Sequence, residues 1–237
     1  MTPLLKIENT VSGYDEADVL AGVSLDVAER EITCLLGANG AGKTTLIRTL
    51  LGLNPIRSGK VFFKTTEITG WPTHEIVRLG ITCVPEGRRV FPAMTVLENL
   101  RMGGYLNESK SDISERLDYA FTIFPKLKER VGQLAGTMSG GEQAMLTIAR
   151  GLMGNPELII FDEPSLGLSP LFVKENFRVI QEINGQGISV LLVEQNVRQT
   201  LAISHVGHVL AQGKIITSGN TETLRESDAL KAAYFGG

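Results

Sequence analysis

Three kinds of hydrophobic pattern follow one another along the chain. LLKIENTVSGY and VLAGVSLDVAE mix aliphatic and polar positions and break at Gly and Asp, which predicts strands and turns; EITCLLG, an unbroken apolar run, predicts a buried strand. GANGAGKTTLIRTLLGL then turns through glycines into helical apolar spacing. SGKVFFKTTEIT reads as a hairpin, PTHEIVRLG as a short helix and ITCVPE as a strand ending at a proline. From about residue 86 to 150 the β-branched runs thin out, and ISERLDYAFTIFPKLKER and GEQAMLTIARGLMG carry helical periodicity, so this stretch reads as a helical insertion. After PELIIFDEPS strands and helices alternate again: LIIF, LFVKENFRVIQEING, ISVLLVEQ, NVRQTLAISH and the hairpin HVLAQGKIITSG. That alternation predicts a mostly parallel sheet covered by helices.

Composition narrows the function. The 237 residues are 43% hydrophobic and 21% charged, which suits a folded chain rather than a disordered one. With 23 Lys and Arg against 26 Asp and Glu the net charge is −3, which argues against a protein that coats nucleic acid. Cys34 and Cys83 sit inside apolar runs and read as small hydrophobes; neither a disulfide framework nor a zinc spacing exists, as expected in a reducing compartment. MTPLLKIENT lacks the basic and apolar regions of a signal peptide, and no apolar run approaches the ~18 to 20 residues of a membrane-spanning helix.

Two segments carry phosphate chemistry. Gly37, Ala38, Asn39, Gly40, Ala41, Gly42, Lys43 and Thr44 match G-x-x-x-x-G-K-[ST] between a predicted strand and a predicted helix, with Thr45 next in the helix. Glycines let backbone N–H groups curl round phosphate oxygens, the helix start adds a favourable dipole, Lys43 reaches the terminal phosphates and Thr44 offers a hydroxyl to Mg²⁺. Leu158 to Glu163 is an apolar strand ending in two carboxylates, placed where a parallel sheet presents its carboxyl edge to ligands. Asp162 is the candidate to hold Mg²⁺, and Glu163 to polarise a water attacking the γ-phosphate. A third segment, Met138 to Gln143, reads as a helix start capped by Ser139 and Glu142, and a glycine-flanked start with a free serine hydroxyl is also an anion-binding surface.

Gly37 to Thr44, Ser139 to Gln143 and Leu158 to Glu163, in this order, resemble the phosphate loop, signature motif and magnesium strand of ATP-binding-cassette (ABC) ATPases, over essentially the whole chain. The resemblance implies an α/β fold: a P-loop NTPase (RecA-like) core with an antiparallel β subdomain over 1–85 and 151–237, and an inserted α-helical subdomain over 86–150. It implies ATP and Mg²⁺ as cofactors. It also implies a pair of cassettes, in which Ser139, Gly140, Gly141 and Glu142 of one chain close over the ATP of the other. Tyr14 resembles the aromatic that stacks on adenine; its other reading is a packed strand-end ring. Glu86 stands where the family commonly has a Gln at the metal, and it can still ligate. Gln195 replaces the usual switch histidine, and none of His74, His205 and His208 takes that place; Gln195 can donate a hydrogen bond to the γ-phosphate but cannot become imidazolium, and loss of a decisive transition-state donor slows turnover by about 10² to 10³. Leu168 stands where the dimer-contact loop usually has an Asp.

VPEGRRVFP with MTVLENL, EPSLGLSP, LLVEQN and the closing AAYFGG resemble the LivF-like ATPase of importers for branched-chain and other hydrophobic amino acids. That branch implies a second ATPase subunit in a mixed dimer or a homodimer, two transmembrane permease subunits, indirectly a solute-binding protein, and a peripheral place on the cytoplasmic face of the cell membrane, with no nucleic acid involved. Amide or urea-type cargo suits the same motifs. A soluble ABC ATPase of an assembly complex, as in iron–sulfur cluster assembly, is the alternative without transport. A plain P-loop kinase leaves MSGGEQ unexplained. The small basic clusters Gly87 to Arg89 and Lys126 to Arg130 read either as solvated charge or as permease or lipid contacts.

Overall fold

A computed structural model describes residues 3–87, 89–106, 109–228 and 230; Arg88 of the first basic cluster and the closing AAYFGG lie outside them. The strands are β1 (Leu5–Tyr14), β2 (Ala17–Val27), β3 (Ile32–Leu36), β4 (Ile56–Phe63), β5 (Thr66–Glu67), β6 (Ile81–Val84), β7 (Leu158–Asp162), β8 (Ser189–Glu194), β9 (Val206–Ala211) and β10 (Lys214–Asn220). The helices are α1 (Lys43–Leu50), α2 (Thr73–Arg78), α3 (Val96–Gly103), α4 (Lys110–Ile123), α5 (Pro125–Glu129), α6 (Gly140–Leu152), α7 (Pro170–Gly185), α8 (Val197–Ile203) and α9 (Thr221–Glu226).

Six strands form the central sheet in the order β10-β9-β3-β8-β7-β6, parallel except for the β9–β10 hairpin, and an antiparallel sheet runs β2-β1-β4-β5. β3, β7 and β8 are buried along their whole length because both faces of the central sheet are covered, which is why they read as continuous apolar runs. The pleat sorts their side chains. Cys34, Ile159, Phe161, Val190 and Leu192 face a core shared with α3, α4, α6, α7 and α8, while Leu35, Ile160, Leu191 and Val193 face α1 and the antiparallel sheet. Burial pushes the Cys34 thiol up to about 11 and Cys83 up to about 12, so both pack as inert hydrophobes. No helix among the described residues is long and apolar enough to cross a membrane.

Register brings the chemistry to one edge. Leu36 at the end of β3 lies beside Glu194 of β8, and Asp162 at the end of β7 lies beside Val193. Three strand ends therefore meet at the carboxyl edge, where open α/β sheets bind ligands.

Candidate functional site

Between β3 and α1 the chain makes a loop that only small residues allow. Gly40 and Gly42 have φ of 79° and 109°, and a Cβ on Gly37 would sit 2.7 Å from the Leu210 carbonyl oxygen. No side chain caps the start of α1, so its first N–H groups are left for an anion. The loop borders a cleft of about 420 Å³. Tyr14, Asn39, Gly40, Gly42, Lys43, Thr44, Thr45, Glu86 and Glu163 line it together, joined by Val19 and by Leu166 of the EPSLGLSP segment, neither of which was a site candidate. Tyr14 is 45% exposed, with the Arg48 guanidinium 5.9 Å from its ring centroid, so it is a ring offered to the cleft rather than one packed in the core.

Lys43 is buried and already engaged. Its Nζ donates to the carbonyls of Gly37 at 2.7 Å and Ala38 at 3.1 Å and lies 3.0 Å from a Glu163 carboxylate oxygen. Glu163 reaches it from an unusual backbone position, φ 47°, which costs a non-glycine residue about 1 kcal/mol or more. Neighbours hold that conformation in place: the Glu163 N–H donates to the Val193 carbonyl at 2.9 Å, and the buried Asn176 amide donates to the Pro164 carbonyl at 3.0 Å.

Asp162, the buried last residue of β7, precedes Glu163 and is not itself part of the cleft lining. Burial first, then the charges of Glu163 and Glu86, push its carboxyl up to about 6, against a pull downward from Lys43 and Arg89. Its Oδ1 is buried and has no hydrogen-bond partner. A desolvated carboxylate oxygen without a donor, near the carboxylates of Glu163 and Glu86, which line the cleft together with the exposed Thr44, is a donor set that fits a hard divalent cation.

The structure does not gather every sequence candidate here. Gln195 follows β8 as an exposed residue and is not part of the cleft lining. Ser139 to Glu142 also lie outside that lining, at the start of α6. The expected Ser139–Glu142 capping box is present, and it leaves the Ser139 hydroxyl engaged rather than free: it donates to Glu142 Oε2 at 2.9 Å and accepts from the Glu142 N–H at 3.4 Å, while the Ser139 N–H donates to the same carboxylate at 3.0 Å. Those N–H and O–H donors, the backbone one first, hold the Glu142 carboxyl below its ordinary value, and Arg130 pairs with it at 3.1 Å. One member of the second basic cluster is thus committed to this cap. Gly141 is required by packing, because a Cβ there would meet the Phe172 ring of α7 at 2.2 Å.

Residues missing from the sequence reading are Asn176, Phe172 and Glu194. The last had a visible signal: a carboxylate ending a buried strand after the apolar run VLLV, the same signal that singled out Asp162.

Comparison with known proteins bears on the whole chain. The family described as ABC transporter matches residues 20–166. The high-affinity branched-chain amino acid transport ATP-binding protein BraG of Pseudomonas aeruginosa is 43% identical over 234 residues, 99% of this chain and 100% of that protein. A probable branched-chain amino acid transport ATP-binding protein, LivF of Archaeoglobus fulgidus, is 35% identical over 98% of this chain and 99% of that protein. The lipopolysaccharide export system ATP-binding protein LptB of Escherichia coli is 32% identical over 98% of this chain and 97% of that protein. A crystal structure of an ATP-binding cassette of an ABC transporter in its ADP conformation matches with a TM-score of 0.87 at 30% identity, covering 100% of both chains.

Proposed function

The chain belongs to the ABC transporter family and is an ATPase of it, and on that premise we propose that it energises an importer for branched-chain amino acids. The observation that carries the cargo is the end-to-end 43% identity to BraG, against 32% to the export ATPase LptB. Its partners in this reading are a second cassette, of the same or a different chain, and two permease subunits, with the complex on the cytoplasmic face of the membrane and a solute-binding protein delivering cargo.

ATP enters the cleft with its triphosphate on the glycine loop and the start of α1, and adenine against Tyr14. The γ-phosphate offers Lys43 Nζ a better partner than two carbonyls and a carboxylate, so the lysine turns to the nucleotide. Glu163 is released by that exchange and stands as the base for the attacking water. Three carboxylates beside a polyphosphate demand a compensating cation; Thr44, Asp162 and Glu86 are the residues that would hold Mg²⁺, which when bound neutralises phosphate charge. Ser139 and the N–H groups of α6 would close over the nucleotide of the other cassette, once its phosphate displaces the Glu142 carboxylate from the helix start.

The test is transport. The chain, purified with the membrane subunits it binds and reconstituted in proteoliposomes with the cognate solute-binding protein, should drive ATP-dependent uptake of labelled leucine, isoleucine or valine. Uptake of urea or short amides without these amino acids, or extraction of lipopolysaccharide, would overturn the cargo assignment. A stable complex free of membrane protein would overturn transport itself.

A further inference from the structure

Glu194 ends β8 with its side chain 2% exposed, and its partners are all backbone N–H groups. One oxygen accepts from Ser165 at 3.0 Å; the other accepts from Gln195 at 3.0 Å and Asn196 at 3.3 Å. The two oxygens thus serve two different segments. Ser165 lies two residues after Glu163, in the loop between β7 and α7, whereas Gln195 and Asn196 lead from β8 into α8.

We infer that Glu194 is a positioning residue: its carboxylate bridges the loop that carries Glu163 to the segment that carries Gln195, so the two shift as one body when nucleotide binds. A buried anion is tolerated here because three N–H donors converge on it, and charge-assisted hydrogen bonds are the stronger kind. Geometry also makes the acid necessary. A glutamine has one accepting oxygen and an NH₂ that only donates, so it can serve one segment and must set a donor against the N–H of the other. The bridge adds a third tether to the loop, beside the Glu163 N–H on Val193 and the Asn176 amide on Pro164. These tethers fix where the Glu163 carboxylate points although its backbone sits at φ 47°.

The effect on turnover rests on the reading of Glu163 as the base; the bridge itself does not, and two measurements separate them. In the assembled complex Glu194→Gln should lower kcat about 10- to 100-fold, as expected for a misplaced catalytic group, with KM for ATP and nucleotide binding within about two-fold. Glu194→Asp keeps the charge but stops short of Ser165, and it should lose turnover in the same sense. Hydrogen exchange supplies the second readout: the Ser165 amide, in a half-buried turn, should be protected in the wild-type chain, and Glu194→Gln should speed exchange in residues 163–168 and 194–197 and not elsewhere. Wild-type kcat in both variants, or loss of ATP binding in step with kcat, would overturn the positioning role. A freely exchanging Ser165 amide in the wild-type chain would overturn the bridge whether or not any variant folds. If Glu163→Gln turns over normally the base assignment fails, and Ser165 protection still decides the bridge.

Discussion

The cleft around Lys43 and the face around Ser139 both offer a helix start to an anion, and the chain builds them to opposite plans. In the cleft the helix start has no side-chain cap, and the cation beside it is held by tertiary partners: two loop carbonyls and Glu163, brought from the end of another strand. At α6 the helix start is sealed locally, by a glutamate three residues on, with Arg130 behind it. A ligand in the cleft must exchange a buried ion pair, where removal of one partner costs about 3 to 5 kcal/mol. A ligand at Ser139 must displace only a surface cap, worth about 1 kcal/mol. The two helix starts therefore differ in what a ligand must displace: a buried lysine–carboxylate contact in the cleft, and an exposed local cap at α6.

The contrast breaks if Glu163 proves dispensable. Glu163→Gln keeps the shape of the cleft, removes the charge facing Lys43 and removes the base. Turnover of the assembled complex should fall about 10² to 10⁴-fold, while ATP affinity, measured with a fluorescent analogue, holds or rises because the lysine has lost its internal competitor. Ordinary turnover would return Glu163 to a purely structural role.

Asp162 sharpens the same contrast through stability. Its folded-state carboxyl lies at about 6, above the ordinary 3.8, so the proton is bound more tightly in the folded state and the ionised group opposes folding. The penalty is absent below about pH 3.8, grows as pH rises toward 6 and is constant above it. Linkage sets its ceiling at about 3 kcal/mol, and partial solvent screening reduces that to about 1 to 2. Asp162→Asn should accordingly raise the unfolding free energy of the nucleotide-free chain by that amount at pH 7.5, with the gain vanishing near pH 4, while metal-dependent hydrolysis is lost. Equal stability of the two forms across that range in urea titrations would show that the buried Oδ1 is not the burden its lack of a partner implies.

What the sequence reveals follows the range of each interaction. The phosphate loop is legible because its glycines, lysine and threonine act within one strand–loop–helix unit, and the Ser139–Glu142 cap because it spans three residues. Asp162 and Glu163 are legible as carboxylates ending a buried strand. The Lys43–Glu163 pair, the Phe172 ring against Gly141 and the Ser165 N–H on Glu194 join residues distant in the chain, and no local periodicity encodes them. Gln195 is the converse case. Its role came from position in a motif, but it lies beyond the end of β8, where the two-residue alternation of a strand no longer fixes a side chain's direction.

The smallest expected effect tests the helix start at α6. Ser139→Ala removes the hydroxyl that accepts from the Glu142 N–H and donates to its carboxylate, but leaves the Ser139 N–H on that carboxylate and the Arg130 pair intact. The isolated chain should lose about 0.5 to 1 kcal/mol of stability, within the usual range for a lost N-cap, and bind ATP as before, because Ser139 lies outside the cleft that Lys43 lines. If the proposed closure of two cassettes holds, turnover of the assembled complex should fall by more than that stability loss explains, since the hydroxyl that serves Glu142 in the free chain would then serve phosphate. Turnover that drops only with stability would mean that the cap is the whole function of Ser139, and the likeness between the two helix starts would then be one of geometry alone.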